Sequence, residues 1–250
     1  MKLRIFKSII LILVTGLVWI GCSSSKETTT EKKEKTREEM RKPALKPIEE
    51  IERDVIRKEN IRSIDKISFD YDENGKLING EKLSTINYQP DGLMKETIIY
   101  GKNSKVDNIY KYNYSSKNYR TQTIRYAPDD KPDKKYLYDY NNFGNKSKSV
   151  RYDLDGKMEK YYIYKYDDIQ NLTEEDWYDA DGKLEYRIEY EYNDNGDKES
   201  ATTYDDNGKM LYRYEYKYGP KGNVLEEHKF DEDDKPVGVI QYVYKYYGKK

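Results

Sequence analysis

Between residues 178 and 196 the chain reads YDADGKLEYRIEYEYNDNG, in which Leu184, Tyr186, Ile188, Tyr190 and Tyr192 alternate with Glu185, Arg187, Glu189 and Glu191. A period of two puts the first set on one face of a β-strand and the charges on the other. The design recurs every 26 residues: tyrosine occupies 88, 114, 140, 166, 192, 218 and 244, and a second register holds Tyr100, Tyr126, Tyr152, Tyr178 and Tyr204, then Phe230. Six complete units fill residues 88–243. Each unit has two turns, such as YNDNGD at Tyr192 and YDDNGK at Tyr204, and two segments in which Tyr, Ile, Val and Thr recur. Asp or Asn at the start of such a turn bonds the backbone ahead of it, and a glycine three residues on supplies the positive φ that returns the chain to a strand. Every unit therefore predicts one antiparallel hairpin, giving about fourteen strands in all. The Asp-x-Asp-Gly turns have too few oxygen ligands for a calcium loop, so their acids are read as turn formers.

The long segments carry tyrosines on one face and Glu, Lys and Arg on the other, whereas short ones such as DKESATTY are polar on both. With no second layer evident, the pattern predicts an all-β fold. It is an elongated, twisted antiparallel meander of tandem hairpins, a single-layer or partly curled sheet without a large core, extending roughly 65 Å at ~4.8 Å per strand. On such a sheet tyrosine rings pack across neighbouring strands while their hydroxyls reach water. The ladder is structural first; as a candidate binding surface it offers Tyr110, Tyr112, Tyr136, Tyr138, Tyr162, Tyr164, Trp177, Tyr186, Tyr190, Tyr212, Tyr214 and Tyr216. The units differ at Trp177, at the sole histidine His228, in the unevenly filled short strands, and in the segment LINGEKL (77–83), three residues longer than usual. Ahead of the repeats, PIEEIERDVIRKEN (47–60) sets Ile48, Ile51, Val55 and Ile56 at helical spacing, with Pro47 suited to the first helical position. A short amphipathic helix is expected there, capping the open end of the sheet.

The N-terminus opens MKLRIFKSIILILVTGLVWIGC, where Lys2, Arg4 and Lys7 precede an apolar run over 8–20 that ends at Gly21-Cys22. That is the layout of a bacterial export signal, and such a run covers roughly 20 Å as a helix, short of the ~30 Å bilayer core. Residues VWIGC (18–22) resemble the lipobox of bacterial lipoproteins, with Trp19 where leucine is usual. The resemblance implies cleavage before Cys22 and acylation of Cys22 with palmitate or a similar chain. Cys22 is the one cysteine, so no internal disulfide and no thiolate metal site is expected. The next residues are Lys, Glu, Thr and Arg with almost nothing apolar, a tether with an r.m.s. reach of roughly 25 to 30 Å. The expected organisation is a signal at 1–21, a disordered polar tether at 22–46, the helix at 47–60 and the repeat domain at 61–250.

The tandem pattern Tyr-x-Tyr-[Asp/Asn]-x-x-Gly, as in YEYNDNGD and YDDNGKM, resembles the YD repeats of the Rhs family over about residues 69–246. The resemblance implies hairpins aligned side by side in a long sheet. This chain is short, uses Lys where that family has Arg, and lacks a self-cleaving core or toxin segment, so the hairpin array alone is carried over.

Charge narrows the functional reading. With 46 Lys and Arg against 47 Asp and Glu the net charge is −1, which is no footprint for nucleic acid. Charged residues make up 37% of the chain, a level typical of disorder, but 29 tyrosines argue for a fold. No Ser-His-Asp set, zinc pair or phosphate loop can be assembled around His228, so no catalytic residue, cofactor or metal site is assigned and the chain is read as non-enzymatic. The expected function is that of a monomeric envelope lipoprotein, held to the lipid bilayer by acylated Cys22 at the outer membrane, its periplasmic face or the cell surface. There it would act as a protein- or polysaccharide-binding repeat module. The alternatives are a structural envelope spacer with no discrete ligand, or a periplasmic immunity or inhibitor lipoprotein.

Overall fold

A computed structural model describes residues 46–248. The signal segment, Cys22 and the tether up to residue 45 lie outside the described residues. Helix α1 (Ile48–Lys58) precedes fourteen strands. The first seven are β1 (Ile61–Tyr71), β2 (Leu77–Tyr88), β3 (Met94–Tyr100), β4 (Val106–Tyr114), β5 (Arg120–Tyr126), β6 (Pro132–Tyr140) and β7 (Lys146–Tyr152). The rest are β8 (Met158–Tyr166), β9 (Leu172–Asp179), β10 (Leu184–Tyr192), β11 (Lys198–Asp205), β12 (Met210–Tyr218), β13 (Val224–Phe230) and β14 (Pro236–Tyr246). Each pairs antiparallel with its neighbours in the chain, and β14 pairs with β1, so the sheet closes into a barrel.

Closure overturns the open, single-layer meander expected from the sequence. An open sheet would leave two long unpaired edges and a wet tyrosine face; joining β1 to β14 removes both edges and turns that face into an interior. The seam runs from Ile61 opposite Tyr246 to Asp70 opposite Gly238. It joins two long strands, since β1 and β14 have 11 residues each, and β2 on the other side of β1 has 12. The additional residues of 77–83 thus belong to a strand, where shifts of register against β1 absorb them. Gly238 permits the close approach: a Cβ there would lie 2.4 Å from the carbonyl oxygen of Phe69. Gly238→Ala is expected to force the seam apart locally and cost about 1 to 3 kcal/mol, read as a lower urea midpoint. An unchanged midpoint would mean that the strands meet elsewhere.

The turns follow the expected chemistry. In 179–183, Asp179 Oδ1 accepts the N–H groups of Asp181 and Lys183 at 3.0 and 2.9 Å, and Gly182 takes φ +85°. Where glycine is missing, Asn118, Asp130, Gln170 and Asp234 occupy the same left-handed position.

Burial separates the two faces. Asn113, Asp139, Lys165, Glu191 and Lys217, each on a long strand between its last two tyrosines, are exposed on the outer wall. In contact with lipid, charges in such a band would cost up to roughly 2 to 4 kcal/mol apiece near the bilayer midplane, so the wall suits water. No helix among the described residues is long and apolar enough to cross a membrane. Helix α1 lies across one mouth. At its start the N–H of Ile48 donates to Asn145 Oδ1 at 2.8 Å, and at its end Glu59 pairs with Lys221 at 2.9 Å. These contacts reach the β6–β7 and β12–β13 turns, so the helix bridges the rim.

Candidate functional site: the tyrosine-lined lumen

Fourteen strands at ~4.8 Å give a circumference of roughly 67 Å and a backbone diameter of at least ~21 Å. Eight strands make an interior that ordinary side chains fill; a barrel of this size needs long ones or stays wet. Tyrosine meets that need. Tyr110, Tyr136, Tyr162 and Tyr214, with Ile188 and Ile240, form a buried layer inside the wall.

A second layer places hydroxyls on side chains 15 residues earlier. Tyr112 and Tyr138 donate to the Oγ1 atoms of Thr97 and Thr123 at 2.7 Å, and Tyr164 lies 3.0 Å from Ser149 Oγ. Tyr190 donates to Glu175 Oε2 at 3.3 Å, and Tyr242 to Glu227 Oε1. A third layer, nearest α1, donates to backbone carbonyls 20 residues earlier: Tyr114, Tyr140, Tyr166, Tyr192, Tyr218 and Tyr244 reach the oxygens of Met94, Arg120, Lys146, Leu172, Lys198 and Val224 at 2.7 to 3.0 Å. The hydroxyls in these two layers therefore bond protein, where the sequence reading sent them to water. Each also ties one hairpin to the preceding one, satisfying polar atoms that would otherwise be buried alone.

Charges sit among the rings. Glu49 of α1 takes Arg120 at 3.2 Å and Lys146 at 2.6 Å. The Arg120 guanidinium lies 4.6 Å from the centre of the Tyr112 ring, and the Lys146 ammonium 5.1 Å from that of Tyr138. Glu227 pairs with Lys66 at 3.2 Å, and Lys66 lies 4.4 Å from the Tyr242 ring centre. Lys198 lies 4.3 Å from the ring centre of Tyr190. Each cation thus meets a ring face, an attraction that strengthens when water is excluded.

Burial and charge pull the carboxyls in different directions. Burial opposes ionisation of Glu49, but the charges of Arg120 and Lys146 outweigh it and hold the group down at about 2. Burial pushes Glu175 up to about 7, only partly countered by the indole N–H of Trp177 at 2.8 Å. Glu52 is pushed well up by burial and by the charge of Glu49. Lys198 is pushed down to about 8 by burial, against the attraction of Glu52 and Glu227.

The Glu175 shift has a testable sign. A carboxyl raised from about 4.5 to about 7 makes folding less favourable as pH climbs through that window, reaching a cost of up to about 3 kcal/mol above it. Glu175→Gln retains an acceptor for Trp177, so it is expected to stabilise the barrel at about pH 8 and leave it unchanged near pH 4. Denaturant melts at the two pH values check this; equal effects at both would contradict it.

All twelve aromatic residues proposed from the sequence as a binding surface line the interior. Tyr110, Tyr136, Tyr162, Tyr164, Tyr190 and Tyr214 are buried, and Tyr112, Tyr138, Trp177, Tyr186, Tyr212 and Tyr216 half-buried. Trp177 packs edge-on against Tyr162 and Tyr186 at 5.2 and 6.1 Å, towards the mouth opposite α1. His228 stands apart, 3.0 Å from Glu226 and 3.4 Å from the Tyr71 hydroxyl. Among the described residues no cluster of His, Cys, Asp or Glu is placed to hold a metal ion. Sequence reasoning missed Arg120, Lys146, Lys198, Glu175 and Glu227. Their signal was the repeat columns themselves: positions 97, 123, 149 and 201 hold Thr, Thr, Ser and Ala where 175 and 227 hold Glu, and 94, 172 and 224 hold Met, Leu and Val where 120, 146 and 198 hold Arg, Lys and Lys.

No family model matches the chain, and no curated protein does. Among solved structures it is similar to a porin-like protein from Bacteroides uniformis, at 10% identity over 74% of this chain and 98% of that one, with a TM-score of 0.44. A porin-like protein from Bacteroides vulgatus aligns at 13% identity over 74% and 98%, with a TM-score of 0.34. The Photorhabdus luminescens Tc holotoxin pore aligns at 14% identity over 69% of this chain and 10% of that one, with a TM-score of 0.25. These likenesses transfer no function to this chain.

Proposed function

We propose that this chain is an envelope lipoprotein whose barrel is a non-enzymatic binding module, held to a lipid bilayer by acylated Cys22. The observation that carries the reading is the polarity of the outer wall. A barrel that faces water with Asn113, Asp139, Lys165, Glu191 and Lys217 needs a separate device to stay at a membrane, and the N-terminal lipobox-like segment is such a device. Pro47, just ahead of α1, lies against the rim turn 141–145, where a Cβ on Gly144 would lie 2.8 Å from it. A tether joined there leaves the opposite mouth free to turn outward. Near that mouth Trp177 packs on Tyr162 and Tyr186, and Tyr162 feels the charges of Arg151 and Glu185 from the ion pairs Arg151–Glu159 and Lys160–Glu185. Aromatic rings set among charges suit a protein or polysaccharide partner.

Cys22→Ser is expected to move the protein from the membrane pellet to the soluble fraction and abolish incorporation of labelled palmitate. A variant still pelleting with its label intact would sink the anchor. Protease treatment of unbroken cells then separates surface display, which gives digestion, from a periplasmic site, which gives protection. For the binding half, Trp177 emission is expected to shift on addition of envelope polysaccharide or protein fractions. A flat response to all of them would favour the spacer alternative.

A further inference from the structure

Turns 141–145 and 167–171 stand side by side on the α1 rim, tied by the Asn145 side-chain amide, which donates to Gln170 Oε1 at 3.2 Å. In each, the fourth residue donates its N–H to the carbonyl of the first, which puts Phe143 and Ile169 at a corner of the turn. These two side chains are 52% and 59% exposed. The same position in the other turns of this rim holds Asp91, Lys117, Asn195 and Lys221. Asn141 Oδ1 and Asp167 Oδ1 accept the N–H groups of Phe143 and Ile169, each at 3.0 Å, so covering the pair with an apolar phase leaves neither donor unpaired.

Two observations say what covers this pair. The first is where the chain enters. Pro47 packs on Gly144, next in sequence to Phe143, so the stretch that follows Cys22 reaches the barrel at the turn that carries the exposed ring. The second is charge. Turns 115–119 and 141–145 hold no acid, whereas 153–157, 179–183, 205–209 and 231–235 at the far mouth hold at least two apiece. Leu154 at that mouth is as exposed as Phe143, but it lies between Asp153 and Asp155. Bringing such an acidic rim to a lipid surface would strip water from its carboxylates. Beside Phe143, by contrast, turn 115–119 offers Lys117 and the ring of Tyr119, side chains that bury an apolar stem or ring and keep a polar tip in water.

We infer that the α1 rim rests on the lipid bilayer, with Phe143 and Ile169 seated at the boundary of headgroups and acyl chains and the far mouth turned away. This rests on the reading of the chain as membrane-held and adds the face it presents to the lipid. Two apolar side chains hold weakly by themselves, but a tether that keeps the rim within reach of the bilayer raises its effective concentration enough for a weak contact to set the orientation.

The test uses the chain from residue 22 onward, with Cys22→Ser and an N-terminal hexahistidine tag that holds it to nickel-chelating lipid in phosphatidylcholine vesicles. A nitrobenzoxadiazole label is placed on Asn142→Cys, beside Phe143, or on Asp155→Cys at the far mouth. Lipid spin-labelled near the top of its acyl chain is expected to quench the label at 142 at least about threefold more than the label at 155. Phe143→Asp combined with Ile169→Asp should remove that difference while thermal melting shows an intact barrel. The inference is overturned by equal quenching at the two positions, by no quenching at either on protein that floats with the vesicles, or by undiminished quenching at 142 in the folded double variant. Because nickel lipid holds the chain here, these failures are distinct from failure of the acyl anchor, which shows in the fractionation of Cys22→Ser protein in cells.

Discussion

Raising the pH from about 9 to about 11 is expected to unfold the barrel in one cooperative step, with a burst of tyrosinate absorbance. The phenols of Tyr88, Tyr112, Tyr138, Tyr164, Tyr190, Tyr214, Tyr216 and Tyr242 are pushed up, chiefly by burial. In the unfolded chain the same groups release protons near their ordinary value of about 10. Above that pH unfolding therefore releases protons and is favoured. One pH unit beyond it, each phenol contributes about 1.4 kcal/mol to unfolding, so eight contribute roughly 11 kcal/mol. A typical domain has about 5 to 15 kcal/mol to lose. Lys198, held at about 8 by burial, acts in the opposite sense, since its unfolded form takes up a proton between about 8 and 10.5. One lysine against eight phenols does not alter the outcome. Absorbance near 295 nm and circular dichroism should change together for these groups; all eight phenols titrating gradually near pH 10 in an intact barrel would contradict their burial.

Glu49→Gln is expected to be the most damaging single change in the helix. It leaves Arg120 and Lys146, both almost fully buried, without the carboxylate that each approaches. Removing one partner of a buried pair costs about 3 to 5 kcal/mol, which in a domain of this size lowers the melting temperature by roughly 10 to 15 °C. Glu50 provides the contrast, because its pair with Lys46 is solvent-exposed and Glu50→Gln should shift stability by less than about 1 kcal/mol. Combining Glu49→Leu with Arg120→Met and Lys146→Met should recover much of the loss, since apolar groups of similar volume can replace a buried ionic cluster. The sign with pH follows from the depressed Glu49: its contribution is complete above about 4.5 and fades as pH falls toward about 2. Calorimetry of the variants at neutral and acid pH tests this, and equal melting temperatures for Glu49→Gln and Glu50→Gln would refute it.

The short strands show where sequence reasoning reached its limit. Thr123, Ser149 and Glu175 read as polar residues in a polar segment. Their inward direction depends on which face of the sheet becomes an interior, and a single strand carries no information on that. The same holds for Glu49 and Glu52, which look like ordinary acids in the first turns of an amphipathic helix until the lumen surrounds them. Gly238 passed unnoticed because it serves a seam between strands about 180 residues apart, whereas the segment 77–83, which stood out, lengthens β2 in its local hairpin with β1.

The chain by itself determined what is local: hairpins from a period of two, turns from Asp or Asn followed by glycine, and a tyrosine column repeated every 26 residues. Each of these is decided by contacts within a few residues or between adjacent strands. Only the tertiary structure decided that β14 meets β1, that the tyrosine column points inward, and that the charges of α1 and the short strands share one interior. Closure is a global property, fixed by accumulated twist and by the free energy of hiding a whole tyrosine face at once, and no 26-residue unit contains it.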